Sequence, residues 1–324
     1  MKVFYVANQY DYGYPSWGDS YENAHWFDTF ANMKGIDLEI FDYYQVMKKS
    51  SKDSMSQQLV DVAEKFKPDF LFANFMTLDT DPNFKSIEKI TNSGCNTFFW
   101  SSDDRMRYHS YARLWAPYFR WMGTMYTPAV QWYNRDGFGN KVIRTEYAAN
   151  HFNFKPKEVR KDIEVSFIGQ GGAHSNRRQI VDTIKNAGID IKLFGRGWTD
   201  GNGKLETTEE YVNIINRSKI NINLNMSSDN TSSQINGRFF EIPMCRGFMI
   251  TGNTEDNSKK YLNDKETVYY GDVQQLINHI KHFLNNPDQR EEISQKGYVR
   301  MLEEHTYEKR FLDIFKKIGL KYGI

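Results

Sequence analysis

Short apolar runs alternate with amphipathic stretches along almost the whole chain. Runs that read as strands are Val3–Asn8, Leu38–Phe41, Phe70–Asn74 and Thr97–Trp100, followed by Trp121–Tyr126 and Val142–Arg144. Helical spacing fills the gaps between the first four, at Tyr21–Met33, Met55–Phe66 and Asn83–Thr91. A charged, turn-rich stretch around Asn153–Asp162 interrupts the pattern and reads as a linker. The alternation then restarts. Strands are expected at Ile163–Ile168, Ile191–Phe194, Ile220–Leu224, Phe248–Thr251 and Val268–Tyr270. Helices are expected at Asn176–Asn186, Thr208–Asn216, Arg238–Cys245, Val273–Asn285, Asp288–Glu303 and Tyr307–Ile318. Strands that are apolar throughout, each followed by a helix, predict parallel sheets covered on both faces.

The fold class is therefore α/β, with two Rossmann-like parallel-sheet domains. We place the N-terminal domain at 1–154 and the C-terminal domain at 155–324, and expect ligands in a cleft between them, beyond the carboxyl ends of the strands. A length of 324 residues suits two such domains.

Composition narrows the class. Hydrophobic residues make up 40% and charged residues 26%, which excludes a disordered or fibrous chain. No apolar run is long enough for a membrane span, and mean hydropathy is −0.69. The N-terminus reads as a first strand, not as a signal peptide. Cys95 and Cys245 are far apart and lack metal-ligand spacing, as expected for reduced thiols in a cytoplasmic protein. The N-terminal part carries 16 basic and 18 acidic residues and the C-terminal part 26 and 23, with no basic stripe, which disfavours a general nucleic-acid binder. No nucleophile elbow, Walker loop, HExxH or CxxC pattern occurs.

Candidate chemistry sits in five loops. In Phe167–Arg178, Gly169 and Gly171 turn the chain after a strand, and Ser175 or Asn176 offers a helix cap. Arg177 and Arg178 follow. Bare amides at a helix start together with two guanidinium groups suit a phosphate, or the loop is a tight turn with solvated arginines. In Leu193–Trp198, Gly195, Arg196 and Trp198 could meet a base or sugar, or close the edge of the core. In Asn223–Glu241, a polar loop containing Asn225 leads to a helix starting near Gly237 or Arg238. Glu241 in its first turn could accept bonds from two ribose hydroxyls. Asp103 and Asp104 follow a strand beside Arg105 and Arg107. They read as a metal site, a base, a hydroxyl-orienting group or an ion-paired structural cluster. Trp17, Gly18, Asp19 and Ser20 lie in an aromatic loop that should face the cleft. His25 just beyond it reads as a core residue.

The segment Asn236-Gly-Arg-Phe-Phe-Glu-Ile-Pro-Met-Cys-Arg-Gly-Phe-Met-Ile-Thr251 resembles the "GR-x-FE-x-x-x-C-x-G" stretch of CgeB-like (spore-maturation-type) glycosyltransferases, GT-B enzymes related to glycosyltransferase family 4. Val165-Ser-Phe-Ile-Gly, Asn176-Arg-Arg, Phe194-Gly-Arg-Gly-Trp, Arg217-Ser-Lys-Ile-Asn-Ile-Asn-Leu-Asn225 and Glu304-His-Thr-Tyr-Glu-Lys-Arg310 agree, as do Ser20-Tyr-Glu22, Trp100-Ser-Ser-Asp-Asp104 and Trp115-Ala-Pro117.

This resemblance implies a metal-independent transferase with no cofactor. The C-terminal domain would hold a nucleotide-diphosphate sugar, and the N-terminal domain a glycan or other hydroxyl acceptor. Glu241 would take the ribose, while Arg238 and the Gly169–Arg178 loop, with Gly237 and Asn225 nearby, would meet the donor. Gly195, Arg196 and Trp198 would border the base. Asp103, Asp104 and Arg238 would serve catalysis, and a last helix at about 306–324 would cross back to the N-terminal domain. Two positions depart from the pattern. Ser233 stands where related enzymes often carry a second glutamate, and Arg246 where a small residue, usually Gly, is common. A nucleotide-sugar isomerase of the same shape and a non-catalytic coat-type protein are the competing functions.

Overall fold

The computed structural model describes residues 1–171, 175–226, 233–254 and 258–323. The chain forms two compact units, Met1–Glu146 with Glu308–Ile324, and Tyr147–Tyr307. Unit 1 contains β1 (Lys2–Val6), β2 (Asp37–Phe41), β3 (Phe70–Ala73), β4 (Asn96–Ser101), β5 (Trp121–Thr124) and β6 (Val142–Arg144). These form one parallel sheet of order β2-β1-β3-β4-β5-β6. Unit 2 contains β7 (Ile163–Ile168), β8 (Ile191–Phe194), β9 (Ser218–Asn223), β10 (Met249–Gly252) and β11 (Val268–Tyr270), parallel and ordered β11-β10-β9-β7-β8.

In both units the first strand has the second strand on one side and the third on the other. Helical connections therefore leave the sheet in opposite directions at β1/β3 and at β7/β9. That reversal opens a crevice at the carboxyl ends of the strands.

The abundance of aromatic residues is explained by unit 1. Register pairs Tyr5 with Phe72 and Phe72 with Phe98, and the three rings stack across the sheet at 5.9 and 6.0 Å. Trp26 and Phe30 cover this row. The opposite face of the same strands presents Phe4, Leu71 and Phe99 to a core that includes Met55, Leu59 and Ile87 from the helices Lys52–Phe66 and Phe84–Asn92. Both faces are apolar because both are covered.

The last helix, Tyr307–Lys317, packs into unit 1. Phe311 stacks on Phe30 at 4.0 Å, and Phe315 meets Phe70 edge-on at 5.1 Å. The expected strands and most expected helices are present. The helices Tyr43–Lys49 and Thr127–Arg135 were not anticipated from the sequence. Cys95 and Cys245 are free and buried. No helix among the described residues is long and apolar enough to cross a membrane.

Phe311 is fully buried in that aromatic stack. Replacing it with Ala removes the ring and leaves a cavity, a change that costs about 3–5 kcal/mol. A urea titration of Phe311→Ala should show the transition of unit 1 at clearly lower denaturant. An unchanged midpoint would contradict this packing role.

Candidate functional site

Unit 2 gathers its polar groups beyond β7, β8 and β9. The loops after β7 and β8 run side by side, with Gly169 N–H donating to the Phe194 carbonyl at 2.7 Å and Gly171 N–H to that of Arg196 at 2.9 Å. This approach requires glycine. Gly195 has φ +129°, and a Cβ there would lie 2.4 Å from the Gly169 carbonyl oxygen. Trp198 holds the pair together, its indole N–H donating to the Gly169 carbonyl at 2.8 Å and its ring lying against Gly171. The indole is thus part of the loop's own framework. Gly172 lies outside the described residues, as do the chain before Ser175 and the side chain of Ser175.

Two guanidinium groups flank one ring. Arg177 lies 5.6 Å and Arg238 5.4 Å from the Phe167 centroid. Arg177 is buried and donates to the Gln170 carbonyl at 2.8 Å, while its Nε has no partner. Burial, with Arg238 adding like charge, lowers its pKa to about 9. Arg238 is positioned by Asn223, whose Oδ1 accepts from its Nε at 3.1 Å, and by the Leu224 carbonyl. Among the described residues neither arginine forms an ion pair. Two cations held near each other without an ion pair suit an anion.

Arg178 is oriented differently. It pairs with Asp200 at 2.7 Å and lies over the Trp198 ring, and with Lys185 it lowers the Asp200 carboxyl to about 2. Arg196 follows Gly195 at the edge of the same loop. Asn225 is buried and donates to the Gly252 carbonyl at 2.9 Å, tying the β9 loop to β10.

The helix Arg238–Met244 begins after Gly237, as the sequence suggests. Glu241 is buried and accepts the Tyr211 hydroxyl at 2.5 Å. Tyr211 is brought there by the helix Thr208–Arg217, which starts in a reciprocal cap between Thr207 and Glu210. Just past the helix, Arg246 has φ +55°. A left-handed position favours glycine, which explains why Gly is the residue expected there. Ser233 pairs with Met226 in a short antiparallel bridge.

Unit 1 carries a cavity of about 540 Å3 at its own reversal point. Asn8 follows β1, Asn74 follows β3, and Ser102 and Asp103 follow β4, all in its wall. Asp11, Tyr12, Tyr21 and Glu22 complete one side, and Arg107 and Tyr111 the other. Burial pushes the Glu22 carboxyl up to about 7, with the charges of Asp11 and Asp103 adding to the shift. Asp103 is exposed at the mouth, yet its surroundings raise its carboxyl while Arg107 opposes the rise. Arg107 lies 4.1 Å over the Tyr111 ring and donates to the Met76 carbonyl. Tyr111 donates to the buried Asp81, which also accepts the Met76 and Thr77 amides at 2.9 and 3.0 Å. Both walls widen into π-turns, Asn23–Phe27 directly after Glu22 and Tyr108–Ala112 directly after Arg107. Such turns recur beside functional sites.

The aspartate pair is split by this arrangement. Asp104 points into the protein, where Ser101 donates to it at 2.5 Å and the hydroxyls of Thr124 and Tyr133 lie beside it. Of the aromatic loop, Trp17 packs on Tyr12 and Tyr14, and Gly18 turns at φ +76°. Asp19 bridges to Tyr10, and the buried Ser20 donates to the Asn8 carbonyl at 2.8 Å. These four residues shape the loop, while its flanks, Asp11 and Glu22, reach the cavity. His25 is buried with its ring 4.2 Å from that of Tyr21. Asn8, Glu22, Asp81, Asn223 and Tyr211 were not assigned site roles from sequence. For Asn8 and Asn223 the available signal was a polar residue at the carboxyl end of an apolar strand.

Residues 176–316 match a family model described as glycosyl transferase-like. No curated protein matches the sequence. Solved structures agree over the whole length at low identity. A glycosyltransferase from Rickettsia africae matches with TM-score 0.64 and 10% identity, covering 99% of each chain. Anabaena HepE in complex with UDP and glucose matches at 0.63 and 9%, covering 98% of this chain and 99% of that one. A sucrose-phosphate synthase from Thermosynechococcus elongatus matches at 0.62 and 10%, covering 98% of both. The fold is that of GT-B glycosyltransferases, and the stretch that matches the family model includes Arg177, Arg238 and Glu241.

Asp104 supplies a test of the interior beside the cavity. Burial pushes its carboxyl from 3.8 up to about 6. Between those values the folded chain keeps a proton that the unfolded chain has released, so stability falls as pH rises through that window. Asp104→Asn keeps the Ser101 bond and removes the titration. Relative to the parent it should gain on the order of 2 kcal/mol between pH 4 and pH 7 in urea midpoints. Parallel pH profiles for the two proteins would contradict the assignment.

Proposed function

We propose that the protein is a CgeB-like GT-B glycosyltransferase that moves a sugar from a nucleotide-diphosphate sugar to a hydroxyl acceptor. The observation that carries this reading is the Arg177–Arg238 pair beside Phe167, with Arg177 buried and Arg238 half-buried and neither in an ion pair among the described residues. A departing diphosphate develops negative charge, and fixed guanidinium groups in a dry site stabilise that charge without having to reorganise. They supply positive charge at the leaving group, so the transfer proceeds without a metal or other cofactor.

In this reading the amides of Gly169 and Gly171 and the start of the helix after Gly237 add donors. Arg196 borders the base, and Glu241, held by Tyr211, faces the ribose. Asn225 and Trp198 keep the two loops in place, and Arg178 stays in its ion pair with Asp200. The unit 1 cavity receives the acceptor. Asp103 and Glu22 orient the hydroxyl there, and Asp104 acts as a positioning residue behind them. Two free, buried cysteines agree with a cytoplasmic setting.

A thermal-shift screen against UDP, GDP, ADP, CMP and their sugar conjugates, with and without EDTA, tests this. One nucleoside diphosphate should raise the melting temperature whether or not EDTA is present. At a hundredfold excess over Kd the stabilisation is about 2.7 kcal/mol. Arg177→Ala and Arg238→Ala should abolish most of the shift for the diphosphate and little of it for the nucleoside. No shift with any nucleotide would overturn the reading. Donor consumed without any acceptor would favour the isomerase instead.

A further inference from the structure

Unit 2 holds its arginines in two ways. Arg178, Arg217, Arg246 and Arg300 bond the carboxylates of Asp200, Asp162, Glu291 and Glu304. Arg177 and Arg238 are held by neutral oxygens instead. Arg177 donates to the Gln170 carbonyl, and Arg238 donates to Asn223 Oδ1 and to the Leu224 carbonyl, each at 3.1 Å. Arg238 Nη1 makes no hydrogen bond among the described residues and lies beside Gly169, where a Cβ would be 3.0 Å from it.

Asn223 ends the central strand β9 and is fully buried. Its Oδ1 accepts from Arg238 Nε and from Asn236 Nδ2, both at 3.1 Å, and its Nδ2 donates to the Thr251 hydroxyl at 3.2 Å. A guanidinium nitrogen only donates, so the atom opposite it must be an acceptor. Aspartate fits that requirement in nearly the same volume. It would give Arg238 a stronger, charge-assisted bond, and the Thr251 hydroxyl could turn to donate to it. The chain nevertheless places an amide there. Asn221 and Asn225, two residues to either side, are buried amides as well, so no acid stands in this row. What separates the two side chains is charge. A carboxylate in contact with Arg238 would neutralise it before any ligand arrived, whereas an amide fixes the guanidinium and leaves its charge for an external anion.

We infer that Asn223 is a positioning residue whose neutrality matters: it orients Arg238 without pairing with its charge, and so sets the preference of unit 2 for a diphosphate over an uncharged nucleoside. The inference rests on the reading of unit 2 as the donor site and names the residue that controls its charge selectivity.

The test is calorimetric titration of the full chain with pyrophosphate, with the nucleoside diphosphate that the thermal screen selects, and with the corresponding nucleoside. Asn223→Asp keeps an acceptor oxygen opposite Arg238, yet it should weaken both diphosphates about tenfold while leaving the nucleoside unchanged. Asn223→Ala releases Arg238 without neutralising it and should weaken them less. A merely structural role predicts the opposite order, with Asn223→Asp close to the parent. In urea midpoints without ligand, Asn223→Asp should cost less stability with Arg238 present than in an Arg238→Ala background, where the new carboxylate is buried without its partner. Diphosphate binding by Asn223→Asp equal to that of the parent would overturn the inference, as would a larger loss in Asn223→Ala or equal stability costs in the two backgrounds. Should Asn223→Asp not fold, Asn223→Ala decides, and unchanged pyrophosphate affinity there would overturn the inference. Pyrophosphate keeps this test apart from that of the donor reading. A parent that binds pyrophosphate but no nucleotide overturns that reading while the variants are still compared on pyrophosphate, and a parent that binds neither overturns both.

Discussion

A parallel strand covered on both faces holds few polar side chains, each of which must find a partner inside, and this constraint governs the rest of the molecule. β3 is buried at every residue, and β1 and β7 nearly so. Polar side chains can therefore emerge in numbers only where the strands end. With the same strand order used twice, each unit has one place where connections diverge and leave room. Asn8, Asn74 and Asp103 occupy that place in unit 1, and Gly169, Asn223 and Arg238 in unit 2. The position of both sites follows from topology before any particular side chain is considered.

The two places then diverge in charge. Among the described residues unit 2 brings two guanidinium groups together with no ion-paired carboxylate, whereas unit 1 gathers several carboxylates in one cavity wall with Arg107. Each arrangement is electrostatically costly by itself, and such costs persist where a ligand offsets them. Phe167 is central to the first. Both guanidinium groups lie within 5.6 Å of its ring centroid, where the π electrons attract a cation. Asn223 contributes by geometry: its carbonyl oxygen sets the Arg238 Nε, while its amide bonds Thr251 on the neighbouring strand.

Strands and long helices were legible in the sequence because hydrophobic period is a local property. The loops after β7 and β8 were legible as glycine-rich, but that they run against each other was not. Side-chain direction was not legible. Asp103 and Asp104 are adjacent in sequence, and only the turn into the short helix after β4 sends one to the cavity mouth and the other to Ser101. The helix Thr127–Arg135 was missed because aromatic residues blur its apolar stripe and Pro128 reads as a breaker, although proline is favoured at a first turn. The π-turns were invisible for a related reason: they insert one residue into an otherwise regular period. Glu22 and Asp81 gain their character from burial and from neighbours far away in sequence, such as Tyr111 for Asp81.

The return of the final helix into unit 1 ties the order of synthesis to the order of folding. Unit 2 is one continuous segment, while unit 1 is closed by residues that follow unit 2 in the chain. A chain emerging from its N-terminus exposes the Phe30 and Phe70 surface until Phe311 and Phe315 reach it. Unit 2 can be complete by then. No single peptide bond divides the protein into its two units, and any cut inside 147–307 leaves the halves of unit 1 to find each other as separate chains.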